Sequence, residues 1–116
     1  MPSDIRHDEQ YRHNKKILND ISALSCNDWK VTIVFYCAVH KIEKFLSKVG
    51  PSGIHNSSHK ARHKNVTNIA ALKSIANQYQ VLYMLSIKSR YNCLTIKNDE
   101  LNKALDMLSI IENAIP

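Results

Sequence analysis

The chain has 116 residues, enough for one hydrophobic core and too few for two domains of ordinary size, so residues 1–116 are expected to form a single domain. Its 44% hydrophobic content, with two glycines, three prolines and abundant Leu, Ile, Lys and Asn, fits a helical protein and excludes a disordered tail or a turn-rich sandwich. The longest nearly apolar stretch, Val31 to Val39, falls well short of the roughly 20 residues of a spanning helix, so no membrane partner is expected. The opening "MPSDIRHDEQ" lacks the apolar run of a signal peptide, which leads to a cytoplasmic expectation. Cys26, Cys37 and Cys93 are odd in number and have no CxxC spacing, which argues against a disulfide framework and a cysteine-rich zinc site. Cys37, inside the apolar run, reads as a small buried hydrophobe.

Helical periodicity dominates, and no segment alternates in the manner of a strand. A first helix is predicted after Ser3 as N-cap, with Ile17, Leu18, Ile21 and Leu24 on one stripe, ending near "SCND". A second begins behind Asn27 or Asp28 and runs to Val49, where Gly50-Pro51 stops it. "GPSGIHNSS" reads as a loop, with Ser57 or Ser58 capping a third helix from His59. The polar, β-branched "NVTN" allows a break before a long helix from about Ala70 to Asn92. Asn98 caps a last helix whose Leu101, Ala104, Leu105, Leu108 and Ile111 recur at 3-4 spacing, with Asp99 and Glu100 suiting its dipole. The expected fold is all-α, an up-and-down bundle of four to five helices.

Charge is distributed unevenly. Between Lys44 and Asn98 there is no Asp or Glu, while Lys44, Lys48, Lys60, Arg62, Lys64, Lys73, Lys88, Arg90 and Lys97 supply nine positive charges. The remainder carries seven basic and ten acidic residues, a net of −3, so one half of the sequence is electropositive and suited to a polyanion.

Two stripes combine polar and aromatic residues. Trp29, Tyr36, His40 and Glu43 follow at intervals of seven, four and three and share one helical face; Tyr79, Tyr83, Ser86 and Arg90 follow at four, three and four. If the stripes face each other, Arg90 or Tyr83 meets Glu43 or His40 in a polar seam, which is either a register-fixing network or a functional cleft.

The succession of "FYCAVHKIE", "HKAR", Tyr79 with Leu82, and "SIKSRY" resembles small prokaryotic members of the HEPN superfamily, the higher-eukaryote and prokaryote nucleotide-binding helical domains, over about Asp28 to Tyr91. The resemblance implies a bundle of four or five helices, usually dimeric, acting on RNA or binding nucleotide. Many members are metal-independent ribonucleases of defence or toxin–antitoxin systems. Their catalytic motif is an arginine and a histidine separated by four to six residues; after Arg90 the corresponding positions hold Thr95, Ile96 and Lys97. Arg6 and His13 meet the spacing, but in the first helix.

"HNSSHKARH", residues 55 to 63, admits three readings: a zinc site, an anion-binding surface, or the polar start of a helix. His59 and His63 stand at i, i+4, but zinc needs more ligands, and Lys60, Arg62 and Lys64 disfavour a divalent cation. No metal or other cofactor is expected. Metal-free RNA cleavage needs a base for the 2′-hydroxyl and a cation for the phosphorane, which His59 and Arg62 supply as types at a helix N-terminus. The candidate catalytic residues are therefore His59, Arg62, His40 and Glu43, and the candidate nucleic-acid contacts are Lys60, His63, Lys64, Arg90, Tyr83 and Tyr91. Tyr79, Tyr83 and Tyr91 serve either as base-stacking rings or as core tyrosines. The expected function is RNA or nucleotide binding by a homodimer, with metal-independent endoribonuclease activity as its catalytic form. The alternative is a non-catalytic helical module that binds a protein partner such as a cognate antitoxin.

Overall fold

Helices make up nearly all of the computed structural model, which describes residues 4–49, 58–92 and 94–116. In chain order they are α1 (Asp4–Asp20), α2 (Asn27–Val49), α3 (His59–Asn68), a 3₁₀ turn (Ala70–Ile75), α4 (Ala76–Tyr91) and α5 (Asn98–Ala114), with no strand among the described residues. The predicted Ser3 cap, the Gly50-Pro51 stop, the loop with His55 and Ser57, and Cys93 lie outside the described residues.

Each turn of the bundle is legible from which residues meet. Asp4 meets Lys48, Asp8 meets Lys44 and Tyr11 meets Lys41, so α1 and α2 are antiparallel. Thr32 meets Ser89, and Phe35 stacks on Tyr79, so α2 and α4 are antiparallel as well. Lys88 reaches Glu100 across the connection to α5, and α3 with the 3₁₀ turn packs on α4 where α2 leads into it. The fold is an all-α, up-and-down bundle, and no helix among the described residues is long and apolar enough to cross a membrane.

Apolar residues at 3-4 spacing build one core. Val31, Val34, Ala38, Ile42 and Leu46 of α2 meet Tyr79 and Leu82 of α4 and Leu101, Ala104, Leu108 and Ile111 of α5. Val66 of α3 plugs one end together with Leu72 and Ile75, whose three-residue spacing matches the three residues per turn of a 3₁₀ helix. Cys37 is fully buried, and burial pushes its thiol up to about 12, so it acts as the inert hydrophobe the sequence suggested.

Helix α1 is attached differently. Its one buried residue is His7, and Tyr11 and Leu18 pack only partly against the core. Polar contacts hold the rest: Tyr11 donates to Glu112, Lys15 pairs with Glu112 at 3.0 Å, and Asp8 pairs with Lys44 at 3.0 Å. Arg12 and Lys44 beside Asp8 hold its carboxyl down to about 2.

Four expectations are corrected. Helix α1 ends at Asp20, and Leu24 is exposed, because residues 21–25 form turns whose backbone bonds are mostly of the i, i+3 type. The long helix begins at Ala76, because Ile69 is extended (φ −83°, ψ 121°) and the 3₁₀ turn intervenes. Asn98 is the first residue of α5; Lys97 stands at the cap, with Glu100 Oε1 accepting from its backbone N–H at 3.0 Å. Leu105 lies at the edge of the apolar stripe of α5 and is exposed.

Candidate functional site

The charge asymmetry of the sequence is partly cancelled in space. Lys44 and Lys48 face Asp8 and Asp4 of α1, Lys88 faces Glu100 of α5, and Arg62 faces Glu43. Among the described residues, Lys60 and Lys64 on α3, Lys73 and Arg90 have no acidic partner in an ion pair, and Lys97 lies beside Glu100.

Ser58 caps α3, its hydroxyl accepting from Ala61 N–H at 3.2 Å, and thereby fixes where His59 and Arg62 leave the helix. Arg62 turns inward and donates from Nε to Glu43 Oε1 at 2.7 Å; only 12% of the arginine side chain and 5% of the glutamate side chain stay exposed. Its Nη1 donates to Tyr79 Oη at 3.3 Å, and the same oxygen lies 2.8 Å from His59 Nδ1. Tyr79 is fully buried, so its hydroxyl must be satisfied within this chain of bonds. Its oxygen accepts from Arg62, and its single proton goes to His59 Nδ1; this assigns His59 the tautomer that carries its proton on Nε2. In that form His59 offers a donor outward rather than a base.

The His59 ring lies flat on Tyr83, with centroids 3.3 Å apart and planes 4° from parallel. The His63 ring follows one turn along α3 at 5.7 Å, its Nδ1 buried and without a hydrogen bond among the described residues. Burial, reinforced by His63, Arg62 and Arg90, lowers His59 to about 4, so the ring is neutral at pH 7.

His40 and Arg90 do not join this cluster as the facing-stripe expectation had it. His40 points to α1, its Nδ1 3.0 Å from Nδ1 of His7, an arrangement that requires one ring to donate and the other to accept. Burial first, then His7 and Arg62, lower His40 to about 4 against the opposing pull of Glu43. Arg90 meets Tyr36 in place of Glu43, donating from Nη1 to Tyr36 Oη at 2.9 Å, while Ser86 holds its other nitrogens at 3.1 and 3.3 Å. Its guanidinium carbon lies 4.9 Å from the Tyr91 ring centre and 5.6 Å from that of Tyr36. Arg62, nineteen positions from Glu43, takes the place Arg90 was expected to fill, because the cap aims α3 at the end of α2.

Glu43, Arg62, Tyr79 and His59 thus form one continuous network between α2, α3 and α4, and Lys60 and Lys64 project from α3 into solvent. Among the described residues no three His, Cys, Asp or Glu side chains gather as a metal site, and His55 lies outside them. The pairing of His7 with His40 was missed in the sequence, which held no signal for it beyond two histidines on helices expected to be neighbours. A concavity of about 740 Å³ lies elsewhere, between the α1–α2 and α4–α5 connections, lined by Ser25, Asn27, Lys30, Ser89 and Leu94 among others. It is about 20 Å from Glu43 along the α2 axis, by the rise of 1.5 Å per residue, and none of the candidate residues lines it. No family model matches the chain, and neither a curated protein nor a solved structure is significantly similar to it.

Proposed function

We propose that the chain is an HEPN-like protein that binds RNA or a nucleotide through the outer face of α3 and α4. The observation that supports this reading is the pattern of pairing: acids of α1, α2 and α5 take up four of the nine basic residues, and the unpaired Lys60, Lys64 and Arg90 flank the stacked rings of His59 and Tyr83. Phosphate binding uses cations that are free of acidic partners, and ring faces beside them suit bases. Arg62 and Glu43 position α3 and keep Tyr79 and His59 in place; Arg62 is too enclosed to serve as the main phosphate contact.

The test is the affinity of a fluorescent RNA oligomer at about 50 and 200 mM salt. Binding that weakens steeply with salt, and that weakens further in the Lys60→Ala/Lys64→Ala double variant, is expected. No affinity at the lower salt overturns the reading. A second reading, a module for a protein partner such as an antitoxin, is favoured by the large groove, whose rim carries the exposed Leu24 and Leu94. It predicts a partner whose binding is lost in Leu24→Ser/Leu94→Ser and is untouched by Lys60→Ala/Lys64→Ala. Cleavage of RNA that persists in His59→Ala and Arg62→Lys would belong to a contaminant rather than to this chain.

A further inference from the structure

Trp29 and Tyr36 stand two helical turns apart on the side of α2 turned away from Val31, Val34, Ala38 and Ile42, about 10 Å from each other along the axis. Trp29 is 64% exposed, Tyr36 38%, and Tyr91 of α4 66%, which is unusual for three large rings on neighbouring helices. The Arg90 guanidinium lies over both Tyr36 and Tyr91. Phe35 then links the group inward, 5.4 Å from Tyr36 and 6.0 Å from Tyr83, and Tyr83 carries the His59 ring. A strip of rings therefore runs along the α2–α4 surface into the network at α3.

From Tyr36 to α3 the charges on this strip have one sign. Asp28 and Glu43 are the only acids of α2, α3 and α4; Glu43 is buried against Arg62, and Asp28 is exposed in the first turn of α2, next to Trp29 at the opposite end of the strip. Arg90, fixed by Ser86 and Tyr36, has no carboxylate to neutralise it. Bare aromatic faces around an unneutralised guanidinium match a ligand that has flat rings and negative charge in regular alternation.

Building on the RNA-binding reading above, we infer that the strip of Trp29, Tyr36, Arg90, Tyr91, Tyr83 and His59 binds single-stranded RNA, stacking unpaired bases on its rings. Duplex RNA buries its base faces in its own stack and offers only its backbone and groove edges, so ring faces gain nothing from it. Stacking tolerates any base, since every base has a π-face, so the strip selects strandedness rather than sequence. Lys60 and Lys64 would then take the backbone where the strand leaves the rings at α3.

Trp29 is the single tryptophan of the chain and so reports directly on the strip. The experiment titrates the full chain, at about 50 mM salt, with oligouridylate, oligoadenylate, an abasic oligomer of the same length and a blunt RNA duplex of the same charge. Fluorescence anisotropy and Trp29 emission are followed together. The base-bearing single strands are expected to bind at least about fivefold more tightly than the abasic strand and to quench Trp29. Trp29→Ala and Tyr91→Ala, at exposed positions that leave the thermal midpoint unchanged, should each weaken base-bearing strands about fivefold and leave the abasic strand unaffected. Equal affinity for abasic and base-bearing strands overturns the inference while leaving electrostatic RNA binding intact, and so does duplex binding as tight as single-strand binding. Concentration-dependent self-association that Trp29→Ala abolishes, without a change in RNA affinity, reassigns the strip to a second copy of the chain. If none of the four oligomers binds, the underlying RNA reading fails along with it.

Discussion

Arg62 and Glu43 show how a buried ion pair ties two elements of a fold together. Each is charged, each is nearly enclosed, and each satisfies the other at 2.7 Å, so removing one leaves an uncompensated charge in the interior. Arg62→Met alone and Glu43→Gln alone are therefore expected to lower unfolding stability by about 3 to 5 kcal/mol, read from the denaturant midpoint. The double variant Arg62→Met/Glu43→Leu should recover most of that loss, since two apolar side chains of similar volume leave no charge buried. Histidines give a second prediction at this scale. His40 and His59 titrate near 4 in the folded chain, below the usual 6.5, so between these values the unfolded chain holds more protons than the folded one. Stability is thus fully present above about pH 6.5 and declines as pH falls through 6.5 towards 4, by at most about 1.4 kcal/mol per pH unit for each ring. Solvent screening reduces that slope, as both rings are partly exposed. Denaturant midpoints measured at intervals from pH 7.5 to 4.5 check it: His40→Gln should flatten the decline, and an unchanged slope would show that His40 does not drive it.

At the level of elements, α1 is the weakest part. It buries one histidine and is otherwise held by Tyr11, Lys15 and Asp8 at their polar ends, whereas α2 buries a continuous apolar stripe. Surface ion pairs contribute about 0 to 1 kcal/mol each, so native-state hydrogen exchange should reveal α1 opening well below the global unfolding free energy, and opening still more readily near pH 5, where His40 takes up a proton once it is released from its contact with α1. Protection of α1 equal to that of α2 would contradict this. The same contrast explains what the sequence disclosed. The spans of α2 and α3 and the apolar stripe of α5 were legible because 3-4 periodicity and a serine cap both act locally. The end of α1 was not, because Ile21 and Leu24 continue the periodicity past Asp20 while the backbone has already left the helix. The pairing of Arg62 with Glu43 was not legible either. Both residues stood out as candidates, but their meeting depends on the angle at which the Ser58 cap and the extended Ile69 set α3 against α2. Trp29 was placed on the right stripe, yet periodicity does not reveal that α1 and α3 cover only the far end of that stripe, at His40 and Glu43, and leave Trp29 bare.

For the whole molecule, the decisive quantity is how many positive charges remain available after folding. The formal charge of +6 and the acid-free run of nine basic residues suggest a wide cationic surface, but Asp4, Asp8, Glu43 and Glu100 fold back onto four of them. What remains near α3 and α4 is Lys60, Lys64, Lys73 and Arg90. If each takes one phosphate of a single strand, counterion release at about 0.7 per phosphate gives a slope of log affinity against log salt of roughly −3. A slope near −6, the value of nine available charges, would mean that the ion pairs open on binding. Removing Lys60 and Lys64 together should bring the slope close to about −1.4, and Lys44→Ala, on a residue already paired with Asp8, should leave it unchanged. That last variant separates the charge a sequence counts from the charge a folded surface presents, because net charge falls equally with Lys44→Ala and with Lys60→Ala while only the second removes a cation that a phosphate can reach.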